Sequence, residues 1–156
     1  MKLVYYFLFC VLFLGCKKPE VVPPPNDLNL LLQKINALRQ SGCNCGSDYM
    51  PQVAPLVENA LLDNAAAAHT KDMDQRKYFE HVSPDGTTPQ ERAISTGYKG
   101  HVKAENLGKG YTSSDQVLNA WKNSVSHCKA MMDGNSTEAG IGFNRNYWAV
   151  SFGNPL

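Results

Sequence analysis

Two histidines and two glutamates in the second half of the chain stand where side chains could converge on one site. His81 lies between Phe79-Glu80 and the turn Ser83-Pro84-Asp85-Gly86, and Glu105 sits in Ala104-Glu105-Asn106-Leu107. His127 follows Trp121 in Ser126-His127-Cys128, and Glu138 opens Glu138-Ala139-Gly140-Ile141-Gly142. An imidazole is a metal ligand or a proton carrier, and a carboxylate beside it fixes its tautomer and raises its basicity. Convergence of the four predicts one of two chemistries. His81 and His127 could hold a divalent ion, zinc or magnesium, leaving positions open for water or a ligand. Alternatively, Glu105 or Glu138 could act as general base on a water bound by that ion. Distance in the chain alone gives such histidines little weight; the motifs around them give more.

Other reactive types carry less. His69, with Asp72 a turn further on, reads as a core or helix-surface histidine bonded to a nearby acceptor. His101 lies in a polar, Gly-containing stretch and reads as exposed. Ser83, Ser124 and Ser126 lack the Gly-x-Ser-x-Gly setting of an activated serine. Cys128 beside His127 suggests a thiol–imidazole pair, but adjacent side chains rarely bond productively. Trp121 and Trp148 read as core.

The elements that must position these groups are legible in outline. Asn26 or Asp27 can cap a first helix, in which Leu28, Leu31, Leu32, Ile35 and Leu38 follow helical spacing until Gly42. Residues 42–57 read as a loop carrying Cys43 and Cys45. A second helix is expected over about residues 59–77, with four consecutive alanines for close packing. Pro84-Asp85-Gly86 is a turn. A short helix follows over 89–96, ended by Gly97, and residues 98–111 read as a Gly-rich stretch bearing Glu105. Ser113 and Gln116 form a capping box for a helix to about residue 123. A further short helix covers 125–132. Residues 139–143 and 147–152, separated by Asn144-Arg145-Asn146, signal a hairpin. Helices followed by a terminal hairpin predict an α+β fold.

The chain has 156 residues and a net charge of +1, a size for one domain and a balance with no electrostatic footprint for nucleic acid. Lys2 and the apolar run 3–14 have the layout of a secretory leader, too short to span a bilayer. Phe13-Leu14-Gly15-Cys16, followed by Lys17-Lys18, resembles a bacterial lipobox in which Phe13 and Leu14 depart from the commonest residues, so residues 1–15 are expected to be a lipoprotein signal peptide and Cys16 its lipidation site. Acyl chains contribute about 0.8 kcal/mol per buried methylene, so a doubly or triply acylated Cys16 would hold a membrane firmly. Residues 17–26, KKPEVVPPPN, then form a semi-rigid polyproline tether, at ~3.1 Å per residue about 30 Å long. Residues 27–156 form the folded domain. Beyond Cys10 and Cys16, three cysteines remain, so at most one internal bridge can form and one thiol is left over. Cys43-Asn44-Cys45 is too closely spaced for half of a zinc site, and no second such pair exists.

In order and spacing, the His81, Glu105, Trp121, His127 and Glu138 motifs resemble the CAP superfamily, also called SCP-like or pathogenesis-related-1, over roughly residues 27–153. The resemblance implies a three-layer α-β-α sandwich around a small antiparallel sheet. It also implies a cleft lined by His81 and His127, with Glu105 directed at His81. It implies a bridge between Cys45 and Cys128 in bacterial members, with Cys43 an alternative partner. Several positions depart from the pattern. Ser124 stands where plant and animal members carry a second cavity glutamate, Ala104 replaces a glycine, and Val125-Ser126 replaces a Pro-Gly. Glu138 either reaches the cavity or anchors a strand end. The missing carboxylate favours a non-enzymatic binding module of the cell envelope, lipid-anchored and extracytoplasmic. Its ligand would be a divalent metal or a small, lipidic or sterol-like envelope molecule. A metal-dependent hydrolase of peptide or ester type and a structural or adhesive surface domain are the alternatives.

Overall fold

The computed structural model describes residues 27–156. The leader, Cys16 and the tether expected over residues 1–26 lie outside the described residues. The domain opens with α1 (Asp27–Ser41), whose Leu31, Ile35 and Leu38 are buried. Gly42 ends it at φ +68°, a left-handed conformation that favours glycine. Two short strands, β1 (Cys43–Cys45) and β2 (Asp48–Met50), pair as a hairpin where the sequence suggests a loop. β3 (Val57–Glu58) leads into α2 (Ala60–Arg76). Asn59 caps α2 by accepting from the N–H groups of Leu61 and Leu62, and Lys77 closes it at φ 59°. The helix α3 (Pro89–Ser95) starts in a reciprocal capping box between Thr88 and Glu91, with Pro89 in the first turn.

β4 (His101–Lys109) is followed by α4 (Ser114–Asn123), α5 (Val125–Met131), β5 (Glu138–Asn144) and β6 (Tyr147–Asn154). The main sheet has the order β3-β5-β6-β4. All its pairs are antiparallel except β3 with β5, which is parallel. Helix α2 crosses one face of the sheet over β5 and β6, with α3 beside it. α1, α4 and α5 cover the other face. These are the three layers of an α-β-α sandwich.

The first two layers meet closely. A Cβ on Gly140 would lie 2.1 Å from the backbone of Leu62, and one on Gly142 would lie 2.2 Å from that of Ala66. Only glycine on the sheet permits that approach, and the small, buried Ala65 and Ala66 of α2 face it. On the opposite face Trp121, Trp148, Val150 and Phe152 form the main core with α1.

Three further local expectations change. Residues 101–109 are a nine-residue strand along β6. The polar Glu105 and the almost wholly buried Asn106 break the apolar alternation that would have marked it. Asp27 is the first residue of α1, but its carboxylate turns to α4, accepting from the Ser114 N–H (2.9 Å) and hydroxyl (2.5 Å). An acidic group at a helix start is favourable there too, so Asp27 ties α4 to α1. Ser113 accepts from the Gln116 N–H, whereas the Gln116 side chain accepts from Thr112.

Candidate functional site

Strand β4 is the free edge of the sheet, and its residues alternate between the two faces. Consecutive residues Glu105 and Asn106 therefore reach opposite sides. Glu105 points to the α2–α3 side, where its Oε2 accepts from His81 Nδ1 at 2.9 Å. Its Oε1 accepts from Arg92 of α3 at 2.8 Å. Asn106 points to the other side and donates to the backbone carbonyl of His127 (3.1 Å), fixing the first turn of α5. One dipeptide thus holds both histidine-bearing segments.

The Glu105 carboxylate is 2% exposed, whereas the His81 side chain is 52% exposed. Arg92 also donates to the His81 carbonyl (3.0 Å) and the Thr87 carbonyl (3.1 Å), so it clamps the segment between α2 and α3. A carboxylate can only accept, so neutral His81 carries its proton on Nδ1 and presents the Nε2 lone pair outward. The bond from Glu105 raises the His81 pKa above the ordinary imidazole range, against a smaller opposing effect of burial.

His127 has the opposite balance. Burial and, secondarily, the nearby His81 lower its pKa, so it is neutral at physiological pH. Its imidazole makes no hydrogen bond among the described residues. It lines a recess of about 280 Å³ with Phe79, Leu107, Tyr111, Trp121 and Ser124. A second, wider recess of about 420 Å³ is lined by His81, Glu105, Pro89, Gln90 and Val102. The two recesses flank the edge strand.

His69 is wholly buried beneath the carboxylate. Its Nε2–H donates to the Glu80 carbonyl (3.0 Å), and Nε2 lies 3.9 Å from Glu105 Oε2. Tyr78 lies 3.3 Å from its Nδ1 and donates to Asp72 (2.5 Å). Burial lowers the His69 pKa, with Glu105 opposing. The sequence marks His69 as a core histidine; the structure adds that it lies under the site. His101 is exposed at the start of β4. Glu138 stands apart, on β5 with β6 between it and β4, and accepts from the Tyr98 hydroxyl at 2.9 Å. Burial and, secondarily, that bond push the Tyr98 pKa up.

Sequence reasoning missed Arg92 and Asn106. Arg92 sits one turn into the helix after the Pro-Asp-Gly turn, and a buried arginine needs acceptors for its donors, which here include a carboxylate. Asn106 was in view only as a companion of Glu105.

A metal would find a sparse donor set here. His81 Nε2 and the His127 ring are open, but both Glu105 oxygens are engaged. Among the described residues, the one group of three His, Cys, Asp or Glu ligand atoms mutually within 4.8 Å is Cys43, Cys45 and Cys128. An ion here would have at most the two imidazoles as side-chain ligands, and these line separate recesses, so water or ligand would complete its shell.

Cys45 and Cys128 form a disulfide, with Cα atoms 5.4 Å apart, and Cys43 is free. The bridge fastens α5 to the β1–β2 hairpin next to His127.

The fold is that of an SCP-type domain, and the sequence assigns it to a family. The sequence model of the Cysteine-rich secretory protein family, CAP, matches residues 32–151, so the chain belongs to the CAP family. It is 32% identical over 100 residues to the uncharacterized protein YkwD of Bacillus subtilis, covering 63% of this chain and 39% of that protein. It is 31% identical over 88 residues to the uncharacterized membrane protein YlbC of the same organism, covering 56% and 25%. The chain thus spans well under half the length of these relatives. An outer surface protein of Borrelia burgdorferi shares the fold with a TM-score of 0.73 at 23% identity, over 86% of this chain and 97% of that one. An extracellular SCP-domain protein of Bacillus anthracis does so with a TM-score of 0.67 at 21% identity, over 84% and 44%.

Proposed function

We propose that this protein is an extracytoplasmic, lipid-anchored binding module of the bacterial envelope. Its ligand carries a polar group or divalent ion for His81 and His127 and an apolar part for the recess beside Trp121. The location rests on the leader and Gly15-Cys16 motif, and on relatives described as extracellular or outer surface proteins.

The observation that carries the binding reading is the use of the carboxylates. Both Glu105 oxygens are engaged, by Arg92 and His81, in a nearly unexposed position. A general base must reach the water it deprotonates, and a carboxylate this buried, behind His81 and Arg92, does not face the recess directly. Glu138, the other candidate base of the hydrolase reading, stands on β5 with β6 between it and Glu105, and one of its oxygens is bonded to Tyr98. Among the described residues, no hydroxyl or thiol is hydrogen-bonded to the imidazole of His81 or His127. What remains is an imidazole anchored with its lone pair outward and a second, neutral imidazole at an apolar recess. That suits recognition. If a metal is bound, it supplies a Lewis-acidic anchor for the ligand's oxygen or nitrogen.

Calorimetric titration of residues 17–156 with zinc and with magnesium tests the metal arm, beside the His81→Ala/His127→Ala double variant. Micromolar binding lost in the double variant supports an ion at the cleft. Absence of binding by the folded wild type removes the ion from this reading. Turnover of a peptide or ester that depends on both histidines would replace it with the hydrolase reading.

A further inference from the structure

The three cysteines of the domain make a second chemical centre, separate from the histidine cleft. Cys43 and Cys45 are alternate residues of β1 and so project to the same side of the strand. Both meet one residue of α5. Cys45 is bonded to Cys128, and the Cys43 sulfur lies 3.7 Å from the Cys128 sulfur. All three sulfurs lie within 4.8 Å of one another. A disulfide needs about 2.05 Å between sulfurs, so Cys43 must approach by less than about 2 Å and also swing toward the extension of the Cys45–Cys128 bond, since exchange is an in-line attack and the Cys43 sulfur now stands to one side of that bond. Cys43 is also the accessible member: it is half-buried, whereas Cys45 and Cys128 are buried. Burial raises the Cys43 pKa and the nearby Lys122 opposes it, so the thiolate forms mainly in alkali.

We propose that Cys43, Cys45 and Cys128 form a thiol–disulfide exchange site in which the bridge to Cys128 passes between Cys45 and Cys43. The Cys43 thiolate attacks the Cys128 sulfur. The Cys43–Cys128 bond forms as the Cys45–Cys128 bond breaks, and the electron pair leaves on Cys45, which takes up the proton that Cys43 released. The step is redox-neutral and needs no oxidant. It converts a half-buried thiol into a buried one, and it moves the tether of α5 two residues along β1, next to His127.

The experiment uses the full chain with Cys10→Ser and Cys16→Ser, so that only these three of its five cysteines remain. The oxidised protein is held at pH 9, quenched in acid, and alkylated there under denaturing conditions. Fragment mass spectrometry then assigns the label on the peptide bearing Cys43 and Cys45. The proposal expects label on Cys43 at the start and a growing fraction on Cys45, reaching at least about a tenth. Label confined to Cys43 at all times overturns it. A Cys45→Ser variant checks reach independently: on mild oxidation it should form the Cys43–Cys128 bridge quantitatively. Two titratable thiols remaining in the folded, oxidised variant would overturn the proposal equally.

Discussion

At the scale of single residues, Glu105 determines both the orientation and the protonation of His81. Replacing it with glutamine keeps an acceptor for Arg92 but offers His81 a donor. His81 must then accept at Nδ1 and carry its proton on Nε2, closing the lone pair that faces the recess. In Glu105→Gln the His81 pKa should fall, because the hydrogen bond His81 donates to the carboxylate is what raises it. An NMR titration of the histidine C–H resonances reads this directly, and an unchanged His81 curve would refute it. If the cleft holds zinc, the same change should weaken binding by about 10–100-fold, the usual cost of losing a partner behind a ligand. Glu105→Ala is harsher. It leaves the Arg92 guanidinium buried and unpaired, a loss of about 3–5 kcal/mol in urea unfolding. His69 supplies the pH dependence. Its folded pKa is lowered, so its neutral form adds no penalty above the unfolded value of about 6.5. Stability is then lost as pH falls below that value. His127 acts in the same direction and His81 in the opposite one. His69→Gln can keep a donor for the Glu80 carbonyl. It should cost about 1–3 kcal/mol at pH 7 but lose less further stability than wild type between pH 7 and pH 5. Parallel losses in the two proteins would show that His69 does not titrate on unfolding.

Elements make the residue geometry possible, and here β4 matters most. A strand delivers Glu105 and Asn106 to opposite faces only if its register with β6 is fixed, and Glu105 pairs with Ser151 as Asn106 does with Val150. The neighbouring β5 must lie close under α2, which its glycines permit. Gly142→Ala drives a Cβ into the Ala66 backbone and should cost at least about 2 kcal/mol, because backbone cannot move aside as a side chain can. Asn59→Ala, which removes only the α2 cap, should cost about 1 kcal/mol. Chemical denaturation of the two variants ranks them, and equal costs would mean that the layers separate more easily than their spacing suggests. The helices and the terminal hairpin were legible because their apolar periodicity and caps are local: Asn59, Gly42, Pro89 and Gly97 mark ends by their own chemistry. β4 was not legible, since its buried positions carry Glu105 and Asn106 for the site. The β1–β2 hairpin is too short to show alternation. The His81–Glu105 pairing followed from motif resemblance, but the role of Arg92 depends on a helix packing against a strand that the sequence did not reveal. Asp27 shows the same limit: its side chain serves a helix start 87 residues away.

At the scale of the whole molecule, two devices fasten the α5 region to the first third of the chain. The Cys45–Cys128 bridge spans 83 residues, and closing so long a loop is worth at most about 4–5 kcal/mol in the chain-entropy view. The second device is Arg39, the wholly buried arginine of α1. Its guanidinium donates to the carbonyls of Ala54, Met131, Asp133 and Ser136, joining α1, the segment before β3 and the turn after α5. These carbonyls come from two separate stretches, so the planar fork of arginine fits where the single ammonium of lysine would not. Arg39→Lys should therefore leave buried carbonyls unpaired and cost about 2–3 kcal/mol in the oxidised protein. Both devices act on the same short segment, so their effects should not add. Once the bridge is reduced, α5 can move, and the carbonyls of Met131 and Asp133 can reach water more readily. Arg39→Lys should then cost less in the reduced protein, by at least about 0.5 kcal/mol, the scale of coupling between neighbouring sites. Urea unfolding of wild type and Arg39→Lys, each with and without reductant, gives the four values of the cycle. A coupling near zero would mean that the bridge and the arginine hold α5 independently. In that case loosening the disulfide end, where His127 sits, would leave the Met131 end in place.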